Sequence, residues 1–224
     1  MIERVLCLAA HPDDETLGCG ATLAKHVRAG DAVSVVVFAD GVASRFNGAG
    51  ISAFGRAAKE RHQQFRDACK ILGTEDVWIH QYADNQMDNV PQLQVVNHIE
   101  IHLDRFKPTV VYTHHGGDLN VDHRVMHECV KVACRPRPGC TVKALYFFEV
   151  PCSTTWGEGF EPNHFVNVTE TFDTKIDAAK HYKDEIHEAP HPRSLAGMRN
   201  IALVRGARVG VPYAEAFMTG RLVA

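Results

Sequence analysis

The chain has 224 residues, 45% of them hydrophobic, which is enough to bury one core without disulfide support, and a single folded domain over 1–224 is expected. A formal charge of −3 and the lack of any Lys/Arg run argue against nucleic acid or an anionic membrane as partner, and for a small molecule. Seven cysteines with no CxxC pair among Cys129, Cys134, Cys140 and Cys152 exclude a zinc ribbon and fit reduced thiols in a cytoplasmic protein.

The apolar stretch 5–10 is too short for a secretory core or a membrane span, so residues 4–10 read as a buried strand. Further short apolar or β-branched runs at 33–39, 77–80, 109–113 and 143–149 fit strands buried on both faces. Helical patterns alternate with them. They run over 16–28 up to Gly30, over 57–72 up to Gly73, over 91–106 to the stop at Pro108, and over 124–134 before Pro136 and Pro138. This alternation predicts an α/β fold, a Rossmann-like open and mostly parallel sheet with helices on both faces. Beyond Pro151 the regularity weakens: 165–168 reads as a strand, 173–187 as a helix, and 189–193 holds two prolines. This tail is expected to wall a site.

In such sheets ligands bind beyond the carboxyl ends of the strands, and two polar clusters sit there. The first is His11-Pro12-Asp13-Asp14-Glu15, directly after the first strand. A histidine and a carboxylate three residues apart in a strand-to-helix turn can face one metal centre, with Asp13 directed to another side of it. Acidic residues in a first turn also complement the helix dipole, which accounts for the carboxylates but not for His11. Gly18 and Gly20 lack the spacing of a dinucleotide-binding turn and are expected to serve close helix-to-sheet packing.

The second cluster follows the strand at 109–113 and runs from His114 to Arg124. His123, at a helix start, is the best-placed third ligand, and Asp122 can hold a neighbouring ligand in orientation. His114 and His115 either meet substrate or bond only backbone carbonyls. Histidine is the commonest transition-metal ligand, and 14 of them in this chain give the cluster its weight.

With both clusters the sequence resembles the PIG-L/LmbE family of zinc-dependent N-acetylglucosaminyl deacetylases. The resemblance rests on Ala10-His11-Pro12-Asp13-Asp14-Glu15 and Asp118-Leu119-Asn120-Val121-Asp122-His123, with a closing segment Gly210-Val211-Pro212-Tyr213-Ala214-Glu215-Ala216-Phe217. It implies Zn2+ on His11, Asp14 and His123, Asp13 as general base, and Arg56 and Asp84 as sugar contacts. Many members carry a histidine where this chain has Asn120. Asn120 can still donate an amide hydrogen to an oxyanion, and His191, in Pro190-His191-Pro192-Arg193-Ser194, is a candidate general acid, with Arg193 beside it as a substrate contact.

The expected reaction is hydrolysis of the N-acetyl group of an amino sugar or its conjugate, giving acetate and a free amine. Two alternatives stay open at this level. One is a metallohydrolase of another amide or of a phosphoester, which commonly uses two metals; the other is a non-catalytic zinc-binding module.

Overall fold

The computed structural model describes residues 2–45 and 51–223. All six expected strands form: β1 (Arg4–Ala9), β2 (Ala32–Ala39), β3 (Asp76–Tyr82), β4 (Val110–His114), β5 (Ala144–Phe148) and β6 (His164–Asn167). A seventh, β7 (Ala214–Leu222), comes from the closing segment. The sheet order is β3-β2-β1-β4-β5-β7-β6, with β1 to β5 parallel and β7 antiparallel to both its neighbours.

The helices are α1 (Asp14–Arg28), α2 (Ile51–Leu72), α3 (Gln92–Phe106), α4 (Val121–Ala133), α5 (Phe172–Ala179) and α6 (Leu195–Ala207). One core lies between the sheet and α1, α2, α5 and α6, and includes Leu23, Phe65, Phe172 and Met198. The other, with Val95, Ile99, Met126 and Val130, lies under α3 and α4. Both faces of the sheet are thus covered, as its uninterrupted apolar strands require. No helix among the described residues is long and apolar enough to cross a membrane.

Beyond shifts of one to three residues, two helix ends and one whole helix depart from expectation. Helix α2 begins at Ile51 rather than residue 57, so Arg56 lies inside it and not ahead of it. Helix α5 ends at Ala179 rather than residue 187, because Tyr182 and Glu185 are drawn into buried polar contacts that a continued helix would not make. Helix α6 was not expected: Ser194 caps it by accepting from the Gly197 amide at 2.9 Å, but Gly197 and Gly206 mask its pattern.

Gly18 has the packing use assigned to it. A Cβ there would stand 2.3 Å from Cδ2 of Phe148 in β5, so only glycine lets α1 approach the sheet. One residue on, Cys19 departs from helical geometry (φ −144°, ψ 17°) and frees backbone groups. Glu215 of β7 accepts from the amides of Ala21 at 3.2 Å and Thr22 at 2.7 Å, while Lys175 of α5 donates to the Leu17 carbonyl at 2.8 Å and to Glu215 at 2.6 Å. The buried kink is therefore satisfied, as burial of backbone polar groups demands.

Strand β1 pairs with β2 on one side and β4 on the other, so the chain winds away in both directions from the β1/β4 boundary. Loops leaving the two strands part there and open a crevice.

Candidate active site

Both clusters meet in that crevice. After β1, the Asp14 amide donates to the His11 carbonyl at 3.3 Å, and Asp14 Oδ2 accepts the His11 amide at 2.8 Å, which folds the two side chains together. After β4, Asn120 caps α4, its Oδ1 accepting from the amides of Asp122 at 2.8 Å and His123 at 3.4 Å. That cap turns His123 inward at the first turn of the helix.

His11 Nδ1, Asp14 Oδ2 and His123 Nε2 form a triangle with sides of 3.2, 3.2 and 3.3 Å. All three residues are buried. Ligand atoms about 2.0–2.1 Å from a tetrahedral zinc ion lie about 3.3 Å apart, so the triangle has the size of such a site. Asp14 Oδ1, also buried, has no hydrogen-bond partner among the described residues. Two imidazoles and a carboxylate, with one oxygen left over, suit a divalent transition metal.

The outer nitrogen of each histidine faces a carboxylate. His11 Nε2 is 3.0 Å from Asp122 and 3.1 Å from Asp84, and His123 Nδ1 is 3.1 Å from Asp118 Oδ1. Asp122 also accepts from the amides of Asn85 and Met87, which holds its carboxylate in place beside His11. Asp118 is held by the Asn120 amide and by Ser153 and Thr154. Burial works against the charges on Asp84 and Asp118. Hydrogen bonds with His11 and Ser44 in the first case, and the nearby His123 with a hydrogen bond from Thr154 in the second, outweigh it and hold each carboxyl down to about 2. The charge of Asp14, joined by Asp118, likewise overcomes burial and lifts His123 to about 9.

Asp13 adopts φ 126°, ψ −31°, a conformation that costs a side-chain-bearing residue about 1–3 kcal/mol. Its carboxylate is not among the groups whose ligand atoms converge in the triangle. Burial, with the charge of Asp14, pushes this carboxyl up to about 7 despite two arginines. Those are Arg193, whose Nη1 is 3.5 Å from Asp13 Oδ2, and Arg61 of α2, 4.0 Å from it. Both guanidiniums also contact the buried carboxylate of Glu185, as does Arg45.

Some expected residues stand elsewhere. Arg56 is exposed on α2, and the arginine of that helix that enters the site is Arg61. His191 Nδ1 accepts from the Arg193 amide at 3.0 Å and its ring packs on His187, so Arg193 is the member of its run that reaches Asp13. His114 Nε2 accepts from the Ala10 amide at 2.8 Å, and His115 Nε2 donates to the Glu158 carbonyl at 2.7 Å; both serve the backbone. Arg61, Glu185 and Tyr182 were not singled out by sequence, since a lone arginine in a helix and acids in a charged tail carry no spacing signal. Asp118 was visible in its cluster, without its role.

Residues 6–134, which contain both clusters, match the model of the PIG-L family, described as GlcNAc-PI de-N-acetylase. The chain belongs to the PIG-L family. PIG-L proteins are N-deacetylases, hydrolases of amides, and this chain is one of them. It is 32% identical over 191 residues to the uncharacterized deacetylase YaiS of Escherichia coli K12, covering 80% of this chain and 90% of that protein. It is 23% identical over 223 residues to the diacetylchitobiose deacetylase of Thermococcus kodakarensis, covering 96% and 82%. Among solved structures, GalB, the 4-carboxy-2-hydroxymuconate hydratase of Pseudomonas putida KT2440, superposes with a TM-score of 0.77 at 19% identity, covering 100% of this chain and 98% of that one. At that identity the likeness shows a shared fold alone.

Proposed function

We propose that this PIG-L protein is a cytoplasmic zinc enzyme that removes the acetyl group from an N-acetylated amino sugar or its conjugate, releasing acetate and a free amine. The observation that carries the reading is the His11–Asp14–His123 triangle, with the buried Asp13 next to Asp14 in the chain and outside that group. The amino-sugar class is supported by the family's description and by the diacetylchitobiose deacetylase relative.

His11, Asp14 and His123 would hold the ion. When bound, zinc supplies a Lewis acid that polarises a carbonyl and lowers the pKa of water toward about 7. Asp13 accepts the proton of the water that attacks the acetyl carbonyl. It then returns that proton to the sugar nitrogen, since an amine leaves only when protonated. Asp122 holds the His11 imidazole in the tautomer that points Nδ1 inward, and the charge of Asp118 stands beside Nδ1 of His123, whose Nε2 points inward. Asn120 has one Nδ2 hydrogen on Asn85 Oδ1, and its second is the proposed donor to the developing oxyanion. Asp84 and Arg193 are the proposed sugar contacts.

A second acidic group, His11 with Asp84 and Asp122, is similar to half of a two-metal phosphoesterase centre only in outline. Both Asp122 oxygens already accept backbone amides, which favours one ion per chain and amide hydrolysis. The test is acetate release from a panel of N-acetylated amino sugars and their conjugates, with zinc and with chelator. Zinc-dependent release supports the reading; no release by protein carrying one zinc per chain overturns it.

A further inference from the structure

The segment 180–194 lies wholly outside the part of the chain that matches the family model, yet it reaches Asp13 directly through Arg193 and indirectly through the bond of Tyr182 to Glu15. On the backbone side, the Asp13 amide donates to Glu15 Oε2 at 3.0 Å, and Glu15 is fully buried. The other oxygen of Glu15 accepts from Thr16 and, at 2.7 Å, from the hydroxyl of Tyr182, itself buried. On the side-chain side, Glu185 gathers Arg61 and Arg193, and both guanidiniums face Asp13 Oδ2. Further anchors fix the pair: Arg61 Nη1 donates to the Pro12 carbonyl at 3.4 Å, and Arg193 Nε to the Pro151 carbonyl at 3.3 Å.

We infer that Tyr182 and Glu185 are positioning residues for Asp13: Tyr182, through Glu15, holds its backbone in the left-handed conformation, and Glu185, through Arg61 and Arg193, holds its carboxylate. The assignment rests on the reading of Asp13 as the base. A positive φ in a residue with a side chain persists only where its surroundings enforce it, and the Glu15 acceptor is such a constraint. An unrestrained carboxylate would swing toward the metal triangle, where Asp14 already stands. Two arginines directed by one buried acid give it a single resting place instead. The segment's departure from helix after Ala179 has the same origin: Tyr182 and Glu185 need different faces of the chain to reach Glu15 and the arginines. Neither residue touches the triangle, so their loss should leave metal binding intact.

The test uses Tyr182→Phe and Glu185→Gln, each preserving volume, in the full-length zinc-loaded protein. Steady-state kinetics should show kcat falling about 10- to 100-fold, the scale of a misplacement near 1 Å, with KM changed less than about 2-fold and zinc content unaltered. Amide hydrogen exchange at Asp13, read by NMR, should quicken at least about 10-fold in Tyr182→Phe while the amides of β1 keep their protection. A rise in KM at constant kcat would overturn the inference and make the segment a substrate wall. Unchanged exchange at Asp13 would overturn it as well. If the wild-type protein hydrolyses nothing on the panel, the deacetylase reading fails, and the exchange measurement still decides the clamp.

Discussion

The Nδ1 atom of His123 lies 3.1 Å from Oδ1 of Asp118, and the opposite nitrogen of the same ring points into the triangle with His11 and Asp14. The carboxylate is therefore close enough to act on that ring through its charge. Asp118→Ala should weaken zinc binding about 10- to 100-fold, measured by competition with a chelator of known affinity. Asp122→Ala should do the same through His11. Unchanged affinity in both would mean the histidines are oriented by packing alone.

Gly18 gives a stability prediction. Gly18→Ala drives a methyl into the Phe148 ring, which is wholly buried, and should lower unfolding free energy by about 1–3 kcal/mol in denaturant titration. At Gly20 a Cβ would meet Lys175 at an ordinary 3.5 Å, so Gly20→Ala should cost less. Equal costs would place the constraint in the α1 kink rather than in helix-to-sheet contact.

A pH dependence follows from a second histidine group, away from the crevice. His80 Nε2 and His102 Nε2 are 2.9 Å apart, so one ring must donate and the other accept. Burial, reinforced by His98 beside His80 and by His80 beside His102, pushes both imidazoles down to about 4. An unfolded histidine titrates near ~6.5, so the folded value is the lower one, and between the two the unfolded chain binds more protons. The stability these rings contribute as neutral groups is complete above about pH 6.5 and is lost as pH falls toward 4. Urea unfolding of the metal-free protein across that window should show a smaller acid loss for His80→Phe/His102→Leu than for wild type. Parallel curves would remove the pair as a source of acid sensitivity.

Much of this molecule was legible in its sequence where signals are local. Each strand from β1 to β5 is a short apolar or β-branched run, and the His11 and His123 clusters lie at the strand ends where the winding opens. Illegible parts depend on distant partners. Glu215 carries no local signal of burial, yet it is buried where it meets Lys175 and two α1 amides. Residues 180–187 carry a helical pattern, but the contacts of Tyr182 and Glu185 override it. Arg56 is implied by the family resemblance, whereas nothing local marks Arg61 of the same helix, because helical spacing does not say which face meets a loop folding in from the far end of the chain.

The most direct test of the central claim, three metal ligands with a separate base, is to measure zinc content and acetate release together for Asp13→Asn and His11→Ala. The account predicts that Asp13→Asn keeps one zinc per chain and loses at least about 100-fold in kcat, the low end of what a positioned acid–base group contributes. His11→Ala should lose the metal and the activity together. Loss of zinc to the same degree in both variants would contradict the account and make Asp13 a ligand.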